Sequence, residues 1–138
     1  MKANEIQIGD WLYYKGQFNA FPFKVESITK KKVGYHAEPN EHRMHYLRLS
    51  ECKPIPLTPE ILEKNGFEKV YDKYKLPNYR IKWKSYTDFY FTVFTGVDGY
   101  WNPIGLNVIT GGIPATVDYV HQLQNALRLC GIKKEIVL

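Results

Sequence analysis

Three cations stand at alternate positions in Arg80-Ile81-Lys82-Trp83-Lys84. On a strand they share one face, while Ile81 and Trp83 point the other way. Cations spaced about 6–7 Å apart on such a face can track phosphates, and neighbouring aromatic rings can stack on bases. The triplet belongs to a longer run, Lys69–Tyr86, with six basic residues against the single acid Asp72. That local charge of +5 equals the formal net charge of the whole 138-residue chain. The segment before it carries ten basic and nine acidic residues, and the segment after it three and four. Tyr71, Tyr74, Tyr79, Trp83 and Tyr86 interleave with the charges. The candidates for nucleic-acid contact are Lys73, Lys75, Tyr79, Arg80, Lys82, Trp83 and Lys84. The same pattern also suits a solvated sheet face, or an edge strand that lysines protect from aggregation. The ribonucleoprotein-type aromatic consensus is absent.

A second polar segment, Tyr35-His36-Ala37-Glu38-Pro39-Asn40-Glu41-His42-Arg43-Met44-His45-Tyr46, gathers imidazoles and carboxylates of the kind transition metals take. His36, His42 and His45 are the metal-ligand candidates, and a metal-dependent enzyme is one reading of the chain. His42 and His45 do not form the helical two-histidine zinc motif, and on a strand their spacing sends them to opposite faces. A polar loop and strand end accounts for the segment equally. His121 is read as a helix-surface or capping histidine with the chemistry of a general base. Cys52 and Cys130 lie far apart in no spaced motif, so no disulfide framework or activated thiol is expected. Gly96-Val97-Asp98-Gly99 spells a GxxG loop, but it sits between two strand patterns and reads as a hairpin. Gly111-Gly112 lacks the lysine and serine or threonine of a phosphate loop. Trp83 and Trp101 can serve a sugar platform or fill a core. No catalytic or cofactor motif is found, no cofactor is expected, and the chain reads as a non-enzyme.

The elements that position these residues follow from pattern. Aromatics make up 15% of the chain, which favours strands. Short strands are expected at Trp11–Tyr14, Phe23–Ile28, Val33–Tyr35 and Met44–Leu49, separated by glycine and lysine turns. This β-rich first half, residues 1–56, is similar to an SH3-like barrel, a likeness of pattern that carries no function. Pro54 and Pro56 make an extended connector. Thr58 as cap, Pro59 at the first helical position and Gly66 as stop predict a two-turn linking helix. Strands follow at 67–71, 79–84 and 88–95. In the last, Phe89, Phe91 and Val93 share one face and Tyr90, Thr92 and Phe94 the other. A turn at 96–99 leads into 100–109, interrupted at Pro103, and Gly111–Pro114 is read as a break. A helix over 117–130, capped by Thr116 and ended by Gly131, puts Val120, Leu123, Leu127 and Cys130 on one stripe. Residues 133–138 close as a strand or apolar tail. The fold class is α+β: a β-rich half, a linking helix and an antiparallel sheet with one packed helix, in residues 1–56 and 57–138, with separate cores or one shared core.

The phrases Pro56-Leu57-Thr58-Pro59-Glu60-Ile61-Leu62-Glu63-Lys64-Asn65-Gly66-Phe67 and Tyr119-Val120-His121-Gln122-Leu123-Gln124-Asn125, with the opening Met1–Glu5 and Ile8-Gly9-Asp10-Trp11, resemble a family of small uncharacterised proteins of gut anaerobic bacteria. Members are often encoded near prophage or other mobile-element genes. The resemblance runs collinearly along most of the chain and is thinnest from about Val70 to Ala115. It implies a bacterial, cytoplasmic protein with no established activity, and it carries over no site residue. No signal peptide or transmembrane segment is expected. The partner is expected to be a protein of unknown kind or a nucleic acid, and not a membrane.

Overall fold

A computed structural model of the chain describes residues 1–82, 89–97, 103–110 and 113–138. It is α+β, with three antiparallel sheets and two α-helices among the described residues. The chain divides into two compact units. The first is Met1–Pro56 with Tyr119–His121, and the second is Leu57–Asp118 with Gln122–Leu138.

The first unit contains β1 (Trp11–Lys15), β2 (Ala20–Lys24), β3 (Ser27–Ile28), β4 (Lys32–Tyr35), β5 (His45–Arg48) and β6 (Cys52–Pro54). They form two three-stranded sheets, ordered β2-β1-β6 and β3-β4-β5. The single strand expected over Phe23–Ile28 is two. The backbone changes partners at its middle, with Val25 N–H bonded to the Asp10 carbonyl and Glu26 N–H to that of Gly34. Pro22 lies on an edge strand, where its missing N–H removes no ladder bond. Leu12, Phe23, Val25, Val33, Leu49 and Cys52 form the core of this unit. Tyr14, Phe21 and Tyr35 extend it, with ring centroids 5.3 Å apart for Tyr14–Phe21 and 5.6 Å for Phe21–Tyr35. Residues 119–121 join the unit through a bridge from Tyr119 to Pro56 and a bond from Val120 N–H to the Ile55 carbonyl.

The second unit contains α1 (Pro59–Lys64), β7 (Glu68–Tyr71), β8 (Pro77–Lys82), β9 (Tyr90–Val97), β10 (Pro103–Thr110) and β11 (Ile113–Thr116); α2 (Val120–Leu129) belongs to it from Gln122 onward. The Thr58 hydroxyl accepts from Ile61 N–H at the start of α1. At its end Gly66 takes φ 85°, which a side chain would resist, and the backbone N–H groups of Gly66 and Phe67 bond back to Glu63 and Leu62. The five strands run in the order β11-β10-β9-β8-β7. Gly111–Pro114 was expected as a break, but Ile113–Thr116 forms an edge strand, where Pro114 is tolerated. Gly96 and Val97, expected in a turn, belong to β9, where Gly96 pairs with Gly105. Asp98, Gly99 and Gly111-Gly112 lie outside the described residues.

The sheet is buried on one face: Tyr79, Phe91, Val93 and Val108 have at most 3% exposure. α1 packs against β8. Phe89 precedes β9 and is exposed, not aligned with Phe91 and Val93. α2 begins at Val120, later than expected, because Ile113–Thr116 pairs as a strand and Tyr119 as a bridge. The tail over 133–138 forms no strand. It is held by the buried Asn65 side chain, which bonds both backbone groups of Val137, and it buries Ile136. Among the described residues no helix is long and apolar enough to cross a membrane.

Candidate nucleic-acid interface

The basic segment folds as the hairpin β7–β8, closed by a turn over 72–76. Asp72 shapes that turn: its carboxylate accepts from the N–H groups of Tyr74 and Leu76 at 2.8 and 3.0 Å. Lys73 and Lys75 sit exposed in the turn, Lys75 with φ 63°. Arg80 and Lys82 lie along the strand, so a run contiguous in sequence is spread over roughly 17 Å of strand. Trp83 and Lys84 lie outside the described residues. Tyr79, a stacking candidate, is 2% exposed on the covered face and offers no ring to a ligand. Burial, with the carboxylates of Glu63 and Glu60, pushes its phenol upward against the opposing pull of Lys69.

Register decides what surrounds Arg80 and Lys82. Arg80 lies opposite Glu68 on one side and Thr92 on the other, and Lys82 opposite Tyr90. Asn78 lies opposite Phe94, which in turn pairs with Asn107. Period-two alternation therefore puts Asn78, Arg80, Lys82, Tyr90, Thr92, Phe94 and Asn107 on the face opposite Tyr79 and Val93. Lys82 is exposed and the others are half-buried. The Arg80 guanidinium sits 4.1 Å from the centroid of the Tyr90 ring, and its Nε is 3.3 Å from a Glu68 carboxylate oxygen. Seated over an aromatic ring, the guanidinium still has N–H donors to offer. Two more cation–aromatic pairs, Lys69–Tyr71 and Lys73–Tyr74, lie on this hairpin at 5.5 and 5.1 Å. The open face thus alternates rings, cations and amides. Tyr90 and Phe94 were legible as one face of a strand, but only the pairing of β8 with β9 puts them beside the cations.

The histidine segment is partitioned into pairs. His36 Nδ1 contacts the Glu26 carboxylate, and His45 Nε2 is 2.8 Å from Glu41 Oε1. The hydrogen bond with His45, with help from Ala37 N–H, holds the Glu41 carboxyl below its usual range. His42 is exposed. Among the described residues no three His, Cys, Asp or Glu side chains are grouped to hold a metal ion. His36 borders a cleft of about 390 Å³ walled by Trp11, Phe21, Phe23 and Tyr35.

His121 is not on the surface. It is 6% exposed, stacked on Tyr119 at 6.0 Å, and among the described residues its Nδ1 has no hydrogen-bond partner. The late start of α2 puts it in the first helical turn beside Tyr119, inside the first unit. Burial pushes the Cys52 thiol up to about 11, so it is no nucleophile at neutral pH. Cys130 is partly exposed and also raised by burial. Comparison with protein-family models, curated proteins and solved structures finds no match.

Proposed function

We propose that this chain is a non-enzymatic binding protein whose five-stranded sheet receives single-stranded nucleic acid on its open face. The observation that carries the reading is the Arg80–Tyr90 pair beside Lys82, with Phe94 further along the same strand. Rings about 13 Å apart on one strand can stack on separate bases while the flanking cations meet the backbone. Single strands suit this surface better than duplex, because stacking needs unpaired bases. The likeness of the first unit to an SH3-like barrel, a cytoplasmic location and an origin among bacterial mobile elements complete the reading. Support for them comes from sequence pattern and resemblance.

The test is fluorescence anisotropy with labelled single- and double-stranded oligonucleotides across a range of salt. The Arg80→Gln/Lys82→Gln variant should lose about tenfold in affinity at low salt, and its log–log salt slope should fall by about 1.4, two phosphate contacts at roughly 0.7 each. Phe94→Ala should lose about tenfold with the slope unchanged, because a stacking contact releases no counterion. Circular dichroism checks that both variants remain folded. Absence of binding to single strands at low salt would refute the reading, as would a charge variant that keeps the wild-type slope.

A further inference from the structure

The first unit carries a cluster of cations of its own. Lys30 and Lys31 form the tip of the two-residue turn between β3 and β4, closed by Thr29 N–H bonding the Lys32 carbonyl at 2.8 Å and Lys32 N–H bonding the Thr29 hydroxyl at 3.1 Å. Turns of this length favour glycine, asparagine and aspartate, and nothing in their backbone geometry calls for lysine. Lys32 then lies directly opposite Arg48 in the β4–β5 ladder, where like charges destabilise a sheet. The bond from Leu49 N–H to the Lys31 carbonyl, at 2.8 Å, ties the turn to the end of β5. Lys30, Lys31, Lys32 and Arg48 are all exposed, and among the described residues none of the four makes an ion pair. Glu51, the nearest acid in sequence, is engaged by the Tyr14 hydroxyl at 3.0 Å. The four cations and Ser50 line one cleft of about 610 Å³, a volume that suits a small ligand.

We propose that this cleft is a binding site for a small oligophosphate, a ligand carrying two or more linked phosphate groups. Its walls supply charge-assisted donors from two sides, including the planar fork of Arg48, and among the described residues no aromatic side chain lines it for a base to stack on. The repulsion between Lys32 and Arg48 is what a bound polyanion would relieve. A free nucleotide's triphosphate and inorganic polyphosphate share this chemistry. The site stands independently of the sheet reading above.

The test is thermal unfolding and titration calorimetry of the whole chain with sodium tripolyphosphate, using sulfate at matched ionic strength as the reference. Wild type should bind tripolyphosphate saturably and melt higher in it than in sulfate. Lys32→Gln and Arg48→Gln should each melt slightly higher than wild type without ligand, and should bind tripolyphosphate at least tenfold more weakly. A purely structural role for the two residues predicts the opposite change without ligand. Adenosine and cytidine triphosphates distinguish the sources: affinities equal to tripolyphosphate assign the site to the phosphate chain, and tighter binding of either assigns it to a nucleotide. Arg80→Gln/Lys82→Gln should bind tripolyphosphate as wild type does. The proposal is overturned if tripolyphosphate gives no more than sulfate, if the Lys32 and Arg48 variants bind it unchanged, or if only an oligonucleotide binds this cleft.

Discussion

Replacing Asn65 by alanine is expected to destabilise the second unit by about 3 kcal/mol, measured as a lower urea midpoint with unchanged slope. The side chain is 3% exposed at the C-cap of α1. Its amide nitrogen donates to the carbonyls of Ile61 and Val137 at 2.8 and 2.7 Å, and its oxygen accepts from Val137 N–H at 2.8 Å. One side chain thus closes a helix and imitates a strand neighbour for the C-terminal segment. Alanine would leave the partly buried N–H and carbonyl of Val137 without it and release the anchor beside Ile136, which is 2% exposed. A buried group stripped of its partner costs roughly 1–3 kcal/mol, and two partly buried groups lose theirs here. Asn65→Asp should be no milder, because it sets an oxygen against two carbonyl oxygens. Limited proteolysis gives a second readout, since residues 132–138 should become the first site cleaved. An Asn65→Ala variant with the wild-type midpoint would show that the tail contributes nothing to this unit.

What the sequence disclosed divides by the distance over which each signal acts. The cap at Thr58, Pro59 and the glycine stop at 66 were legible because helix ends are written within a few residues. Asn65 sits inside the same phrase, yet its role was not, because its partner lies 72 residues away. Period two separated Phe91 and Val93 from Tyr90, Thr92 and Phe94, but it carried the pattern one residue too far, to Phe89. Alternation also put Arg80 and Lys82 on one face, and it could have put Tyr79 on the other. What it could not supply is register, which alone sets Tyr90 under Arg80 and Arg48 across from Lys32. Lys30–Lys32 reads in one dimension as a charged turn, and becomes a four-cation cleft only when β5 is paired beside β4. The strand at 113–116 was missed because Gly111-Gly112 and Pro114 read as a stop. An edge position lifts that restriction, and the start of α2 moved with it.

Acid is expected to weaken the fold through His121. Burial holds its imidazole below the ordinary range, and the opposing attraction of Asp10 and then Glu5 is smaller. The unfolded chain titrates this group near pH 6.5, so below that the unfolded state binds a proton that the folded state refuses. Stability is therefore fully present above about pH 6.5 and is lost as pH falls toward the lowered folded value. The slope added by this one group is at most about 1.4 kcal/mol per pH unit. Nδ1 sharpens the effect, because among the described residues no acceptor is in place to receive the second N–H of an imidazolium. His121→Phe keeps a ring against Tyr119 and removes the titration. Since His36, His42 and His45 remain in the variant, the difference between the two proteins isolates His121. Urea unfolding at half-unit steps from pH 7.5 to 5 should show wild-type stability falling more steeply than that of the variant, the gap opening only below about pH 6.5. Parallel curves would mean that His121 takes up its proton in the folded state as readily as in the unfolded chain, and that the buried imidazole is solvated or paired in solution.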